Sequence, residues 1–230
     1  VSTPSEPIPL ALERSSPKFP RDLVERHFVM QKKRPAGIRE VEIERLDPFL
    51  RGLLFTDGTV TRALGAQALA PVQVECLGQS WASMPDRIAG LLDAERGTEA
   101  VRRRVSIGVA CGSGPVLWAE SFMLPDRLPD GFLGQLDEAP DGIGQSIQHV
   151  SLESSRELLW FGLDAVPEWA TAVRGAADGT LRRLYRIVSG GNPAILISEH
   201  FAVTGRDSGA HRLVGLDRPA DDARQAGDIS

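Results

Sequence analysis

Cysteine is scarce in this chain: Cys76 and Cys111 are the only two in 230 residues. Two cysteines make no disulfide framework at this length, so a reduced, cytoplasmic protein is expected. The four histidines, His27, His149, His200 and His211, are scattered, and no HxxxH, HxH or CxxC spacing occurs. No metal site is therefore signalled. No run approaches the roughly 18 apolar residues of a membrane-spanning helix, and the first twenty residues lack the basic start and apolar stretch of a secretory signal. Positive charge is in deficit as well: 26 Lys and Arg against 31 Asp and Glu leave a net charge of −5. That balance argues against a non-specific nucleic-acid binder but leaves room for a local basic pocket. The glycine groups GSG (Gly112, Gly114) and SGG (Gly190, Gly191) do not follow a strand–GxGxxG–helix pattern, and no GxSxG elbow is present.

What is present suits one soluble globular domain, with 42% hydrophobic and 25% charged residues. Pro- and Ser-rich composition marks residues 1–40 as a flexible extension, with at most a short helix in 21–39. Residues 41–204 form the compact part, and the Asp-, Arg- and Gly-rich residues 205–230 a flexible tail. Helices are expected at 47–55, where Asp47 and Pro48 suit a cap and first turn, at 60–69, and briefly at 131–136 and 145–150. Strands are expected at 71–77, 102–110, 116–124, 156–163, 184–188 and 194–201. Tight hairpins join most of them, and hairpins make antiparallel pairs. The expected fold is α+β, an antiparallel sheet of about six strands with helices on one side.

The last hairpin, within Arg182–Phe201, carries an anomaly. Alternation puts Ile195, Ile197, Glu199 and Phe201 on one face. A carboxylate among Ile and Phe is costly unless something pairs with it or protonates it. Two readings stand side by side: a structural Glu satisfied by an Arg, and a Glu kept for chemistry. Arg102-Arg103-Arg104 opens another strand, where Val105, Ile107 and Val109 share one face and Arg102, Arg104 and Ser106 the other. Solvated charge at a strand end is the plain reading, and bidentate recognition of a carboxylate the functional one. Glu120 beside Trp118 and Phe122 is a weaker counterpart of Glu199, and His200 points away from Glu199 in a regular strand.

Four segments, LLFTDGTVTRAL (Leu53–Leu64), RRRVSI with WAESFMLPDRLP, PDGIGQSI (Pro140–Ile147) and RRLYRIVSGGNPAILISEHF, together resemble the chorismate pyruvate-lyase family, closest to its shorter actinobacterial members. The resemblance covers residues 47–201. It implies a six-stranded antiparallel sheet with an internal ligand closed over by helical flaps, conversion of chorismate to 4-hydroxybenzoate and pyruvate, and no cofactor. It places the carboxylate-binding arginine on Arg104, through the strand opening R-x-x-I/L. The acid–base glutamate falls on Glu199, and backbone ligand contacts on Val60 and Ile143. No nucleic-acid or membrane partner is implied, and the oligomeric state stays open. Two alternatives remain: a non-catalytic sensor of the same fold, and another chorismate-converting enzyme with a different product.

Overall fold

A computed structural model describes residues 19–110, 112, 114–138, 142–170, 179–205 and 211–214. Of the ends expected to be flexible, 1–40 and 205–230, residues 1–18, 206–210 and 215–230 lie outside the described residues, as do Cys111 and Pro140. Among the described residues, six helices, α1 (Phe19–His27), α2 (Pro48–Phe55), α3 (Val60–Ala68), α4 (Asp86–Leu91), α5 (Phe132–Glu138) and α6 (Ile143–His149), accompany seven strands. The strands are β1 (Val72–Ser83), β2 (Glu99–Val109), β3 (Pro115–Met123), β4 (Ser154–Asp164), β5 (Gly179–Ser189), β6 (Asn192–Thr204) and the two-residue β7 (Arg212–Leu213). All pairs are antiparallel, in the order β1-β2-β3-β6-β5-β4, with β7 on the end of β6. The α+β class and antiparallel sheet match the expectation from sequence.

Local chemistry explains the elements. Asp47 caps α2 by accepting from the backbone N–H groups of Phe49 (2.8 Å) and Leu50 (3.0 Å), ahead of Pro48. The β5–β6 hairpin turns on Gly190 (φ 55°) and Gly191 (φ 79°), the two consecutive left-handed residues of a tight two-residue turn. Period-2 alternation then sorts side chains to two faces. One face carries Leu117, Ile195, Ile197, Phe201 and Leu181 and packs beneath α2, α3, α5 and α6. The other carries Phe122, Leu184, Leu196 and Trp160 and packs against α4 through Leu91 and Leu92. Helices thus crowd one face, while the short α4 serves the second.

The extension expected to be flexible is docked from Phe28 onward. Phe28 and Ile38 are buried. Val29 and Met30 donate to the carbonyls of Leu158 and Leu159 (3.0 and 2.8 Å), and Arg39 and Leu163 exchange backbone hydrogen bonds (2.9 and 2.8 Å). The physical reason is the exposed edge of β4, whose unpaired peptide groups need cover. The segment bounding the tail is used similarly: β7 pairs with β6, and His211 exchanges backbone bonds with Arg45 and Asp47 (2.7 and 3.0 Å). Neither docking is visible in composition, because a few apolar residues and backbone bonds carry it.

Gly162 makes the β4 strap possible. A Cβ there would stand 2.5 Å from the Arg39 carbonyl oxygen and 2.7 Å from Ile38 Cγ2. Gly162→Ala is expected to destabilise the protein by about 1–3 kcal/mol, read as a lower urea midpoint with an unchanged slope. An unchanged midpoint would show that the strap contributes nothing.

Candidate active site

A cavity of about 70 Å³ lies between the sheet and the starts of α3 and α6. Its floor is three cross-strand rows. The first runs Arg103–Ser121–Ile197–Tyr185, the second Val105–Ala119–Glu199–Arg183, the third Val101–Met123–Ile195–Ile187–Arg156. Of these, Arg103, Val105, Ala119, Ser121, Ile197, Glu199, Tyr185, Ile187 and Arg156 line the cavity. The roof is Thr59, Val60, Ile143 and Gly144. Thr59 packs against Gly144 so closely that an added Cβ there would sit 3.1 Å from Thr59 Cγ2. The volume is small beside the several hundred Å³ usual for ligand pockets, so a ring-sized ligand requires the α3 and α6 starts to yield.

Glu199 is 5% exposed and has two sets of partners. Arg183 donates to Oε2 from Nε (2.9 Å) and Nη2 (2.5 Å), and the Tyr185 hydroxyl donates to Oε1 (3.0 Å). The remaining donor of Arg183, Nη1, reaches the carbonyls of Leu53 (2.5 Å), Leu54 (3.2 Å) and Thr56 (3.1 Å). These are carbonyls at the C-terminal end of α2, which lack intrahelical partners and carry the negative end of the helix dipole. The guanidinium is therefore neutralised from two directions, and the carboxylate is fixed in place. Three of about four acceptor positions on the carboxylate are used among the described residues, leaving one on Oε1. The two readings of Glu199 are thus compatible: an Arg satisfies it, and it still lines the cavity. Burial, with the Glu199 charge as the next cause, pushes the Tyr185 hydroxyl well above its ordinary range, so it stays a donor.

The expectation that Arg104 faces the ligand space is corrected. Arg104 Nε donates to Glu120 Oε1 at 2.8 Å, and its guanidinium lies over the Trp169 ring at 5.0 Å. Both sit on the opposite face of the sheet from Glu199. Arg103 lines the cavity instead, 6% exposed, with Nη1 donating to Gln79 Oε1 at 2.8 Å. The reason is strand parity: Arg103 shares its face with Val105 and Ile107, and Arg104 with Ser106. Val60 and Ile143 both line the cavity, each as the first residue of its helix, where a backbone N–H has no intrahelical acceptor. Sequence reasoning missed Arg183, Tyr185 and Arg156. Alternation did offer a signal, since all three fall on the strand faces that also carry Leu181, Ile187 and Leu158.

His200 faces away from Glu199, as alternation required. Ser198 Oγ lies 3.1 Å from its Nε2 and Thr180 Oγ1 3.5 Å from Nδ1. Burial first, then the Arg182 charge, lowers its pKa to about 3, so it is a neutral packing residue. Among the described residues, no group of three or more His, Cys, Asp or Glu could hold a metal, and no helix is long and apolar enough to cross a membrane.

The sequence model of the family described as chorismate pyruvate-lyase Rv2949c-like matches residues 54–206. The chorismate pyruvate-lyase of Mycobacterium leprae (strain TN) is 31% identical over 163 residues, 70% of this chain and 77% of that protein. That of Mycobacterium tuberculosis (strain ATCC 25618 / H37Rv) is 28% identical over 169 residues, 71% of this chain and 84% of that protein. Among solved structures, PhnF from Mycobacterium smegmatis superposes with a TM-score of 0.50 at 13% identity, covering 64% of each chain. At that identity the likeness speaks to the fold alone.

Proposed function

The chain belongs to the chorismate pyruvate-lyase Rv2949c-like family, and from that premise we propose that it converts chorismate to 4-hydroxybenzoate and pyruvate without a cofactor. One observation supports this most: Arg103 and Glu199 face the same apolar cavity two strands apart, through β3. Two strand spacings amount to roughly 10 Å between backbones, a span suited to one six-membered ring once the starts of α3 and α6 yield.

Arg103 binds the ring carboxylate and fixes the ring's orientation. The far end of the ring, with its hydroxyl and neighbouring enolpyruvyl ether, then meets Glu199. The open acceptor position on Oε1 takes the proton lost from the hydroxyl-bearing carbon. The electron pair of that C–H bond enters the ring as the adjacent C–O ether bond breaks, and the ether oxygen leaves with its pair as enolpyruvate. Uptake of one proton converts enolpyruvate to pyruvate. Aromatisation supplies the driving force. Arg183 and Tyr185 position the carboxylate, and the backbone N–H groups of Val60 and Ile143 close over the ligand from the flaps. The apolar floor excludes water and strengthens each polar contact.

The test is direct. Purified protein incubated with chorismate, with no metal added, is expected to release 4-hydroxybenzoate and pyruvate in equal amounts, identified by chromatography and a coupled pyruvate assay. A 3-hydroxy isomer or a hydroxylated diene would assign a different chorismate enzyme, and binding without product a ligand-binding module. Two neighbouring variants check the assigned arginine. Arg103→Gln is expected to weaken substrate and product binding by roughly 10- to 100-fold, as loss of a charged hydrogen-bonding group does. Arg104→Gln should leave both near wild type, and the reverse pattern would return the role to Arg104.

A further inference from the structure

The cavity holds a second arginine that the mechanism above does not use. Arg156 stands on β4, opposite Ile187 of β5, and lines the cavity from the side remote from Arg103. Glu199 lies between them: β2 carries Arg103, β6 carries Glu199 and β4 carries Arg156, in the sheet order β2-β3-β6-β5-β4. The three groups fall on three successive rows, with Arg103 on the middle one.

The bonding of Arg156 differs from that of the arginines on the neighbouring strand β5. Arg183 is neutralised by Glu199, Arg186 by Glu157 and Asp93, and Arg182 by Asp164. Among the described residues Arg156 meets no carboxylate. Its side chain makes one hydrogen bond among the described residues, from Nη1 to the carbonyl of Asp57 in the turn between α2 and α3, and its buried Nε meets no acceptor among them. A cation half-buried beside an apolar cavity, with a buried donor unsatisfied, is costly unless an anion comes to it. Tyr185, which feels the Arg156 charge, stays neutral, and Glu199 is already paired with Arg183.

The geometry points to Arg156 as the group that binds a second carboxylate, the one on the enolpyruvyl side chain of the substrate. This rests on the reading that chorismate is the substrate. Chorismate is a dianion: its ring carboxylate lies para to the hydroxyl-bearing carbon that Glu199 addresses, and its second carboxylate hangs from the ether on the adjacent carbon, beyond that end of the ring. In strand order Arg103 and Arg156 likewise stand on either side of Glu199, so one arginine serves each carboxylate. The product keeps only the ring carboxylate, so Arg156 contributes to binding of substrate and not of 4-hydroxybenzoate. Once the ether bond breaks, the Arg156 contact leaves with pyruvate. Arg156 is therefore the residue that sets the preference for substrate over product, a role distinct from the shared anchor at Arg103.

The experiment measures two ligands on three proteins. Dissociation constants for 4-hydroxybenzoate are taken by calorimetry on wild type, Arg156→Gln and Arg156→Lys, and those for chorismate on the same three in a Glu199→Gln background that slows turnover, with KM and kcat measured on the parents. Arg156→Gln is expected to weaken chorismate binding by roughly 10- to 100-fold while leaving 4-hydroxybenzoate within about twofold. Arg156→Lys, which keeps charge but not the planar fork, should recover part of the loss. Equal losses for both ligands would make Arg156 a tether of the Asp57 turn and overturn the proposal, as would unchanged affinity for both. A thermal melt of each variant identifies a folding defect, and the chorismate-to-product affinity ratio of the folded fraction still decides. If wild type makes no 4-hydroxybenzoate yet binds chorismate, the functional reading fails while the affinity ratio still tests Arg156. If wild type binds neither ligand, both fail together.

Discussion

Replacing Glu199 by glutamine is expected to lower turnover of chorismate by about 10²- to 10⁴-fold, the range contributed by a positioned acid–base group. The amide keeps the shape of the side chain, and its oxygen still accepts from Arg183. Arg183 also retains its three carbonyl acceptors at the end of α2. The fold should therefore survive with reduced stability, and rates measured well below the melting temperature isolate the chemical effect. What glutamine cannot do is take a proton from carbon. The expected signature is a fall in kcat larger than any rise in KM, because the group acts on the transition state. Folded Glu199→Gln protein turning over chorismate at the wild-type rate would falsify the assignment of Glu199 as base.

Arg183→Met is expected to be the most damaging single change to stability. It strips a buried carboxylate of its countercharge and leaves the Leu53, Leu54 and Thr56 carbonyls without that donor. Breaking a buried pair from one side costs about 3–5 kcal/mol, a drop of roughly 6–20 °C in Tm for a chain of this size. Removing both charges with Arg183→Met and Glu199→Leu should recover much of that loss, since an apolar pair no longer strands a charge. The double variant would be folded and inactive, which separates the structural duty of Arg183 from the chemical duty of Glu199. If Arg183→Met melted with wild type and the double variant were no better, the pair would not hold the site together.

These two expectations show how the site divides its labour. Glu199 has one acceptor position for a ligand because its others are committed to Arg183 and Tyr185. A carboxylate on such a surface needs a countercharge, and any countercharge occupies part of it. Here both Arg183 bonds end on Oε2, so the oxygen bonded by Tyr185 keeps its second acceptor position.

Much of this was legible in the sequence, and the parts that were share a cause. Helix α2 was readable from Asp47 and Pro48, and the last hairpin from Gly190 and Gly191, because caps and tight turns depend on adjacent residues. Face assignment was readable for the same reason. Parity is local, and parity already separated Arg104 from Val105 and Ile107. Matching the strand by its R-x-x-I opening instead selected Arg104, and the alternation of that strand proved the better guide.

The remainder depended on contacts that no local pattern contains. Glu199 announced that it needed a partner, but alternation cannot name a residue on another strand. Arg183 became that partner because the antiparallel register of β5 and β6 sets the two opposite each other. It could be buried because the end of α2, some 130 positions earlier in the chain, supplies its carbonyls. Arg156 reaches the cavity only because β4 closes the sheet beyond β5. Phe28 and Ile38 dock because β4 is left as an edge. The sequence by itself determined the class of fold, the face of each strand and the isolated carboxylate. The tertiary structure alone decided which arginine faces the ligand space, which one neutralises Glu199 and which one meets no carboxylate among the described residues, because charge pairing is settled by strand order and register rather than by neighbours along the chain.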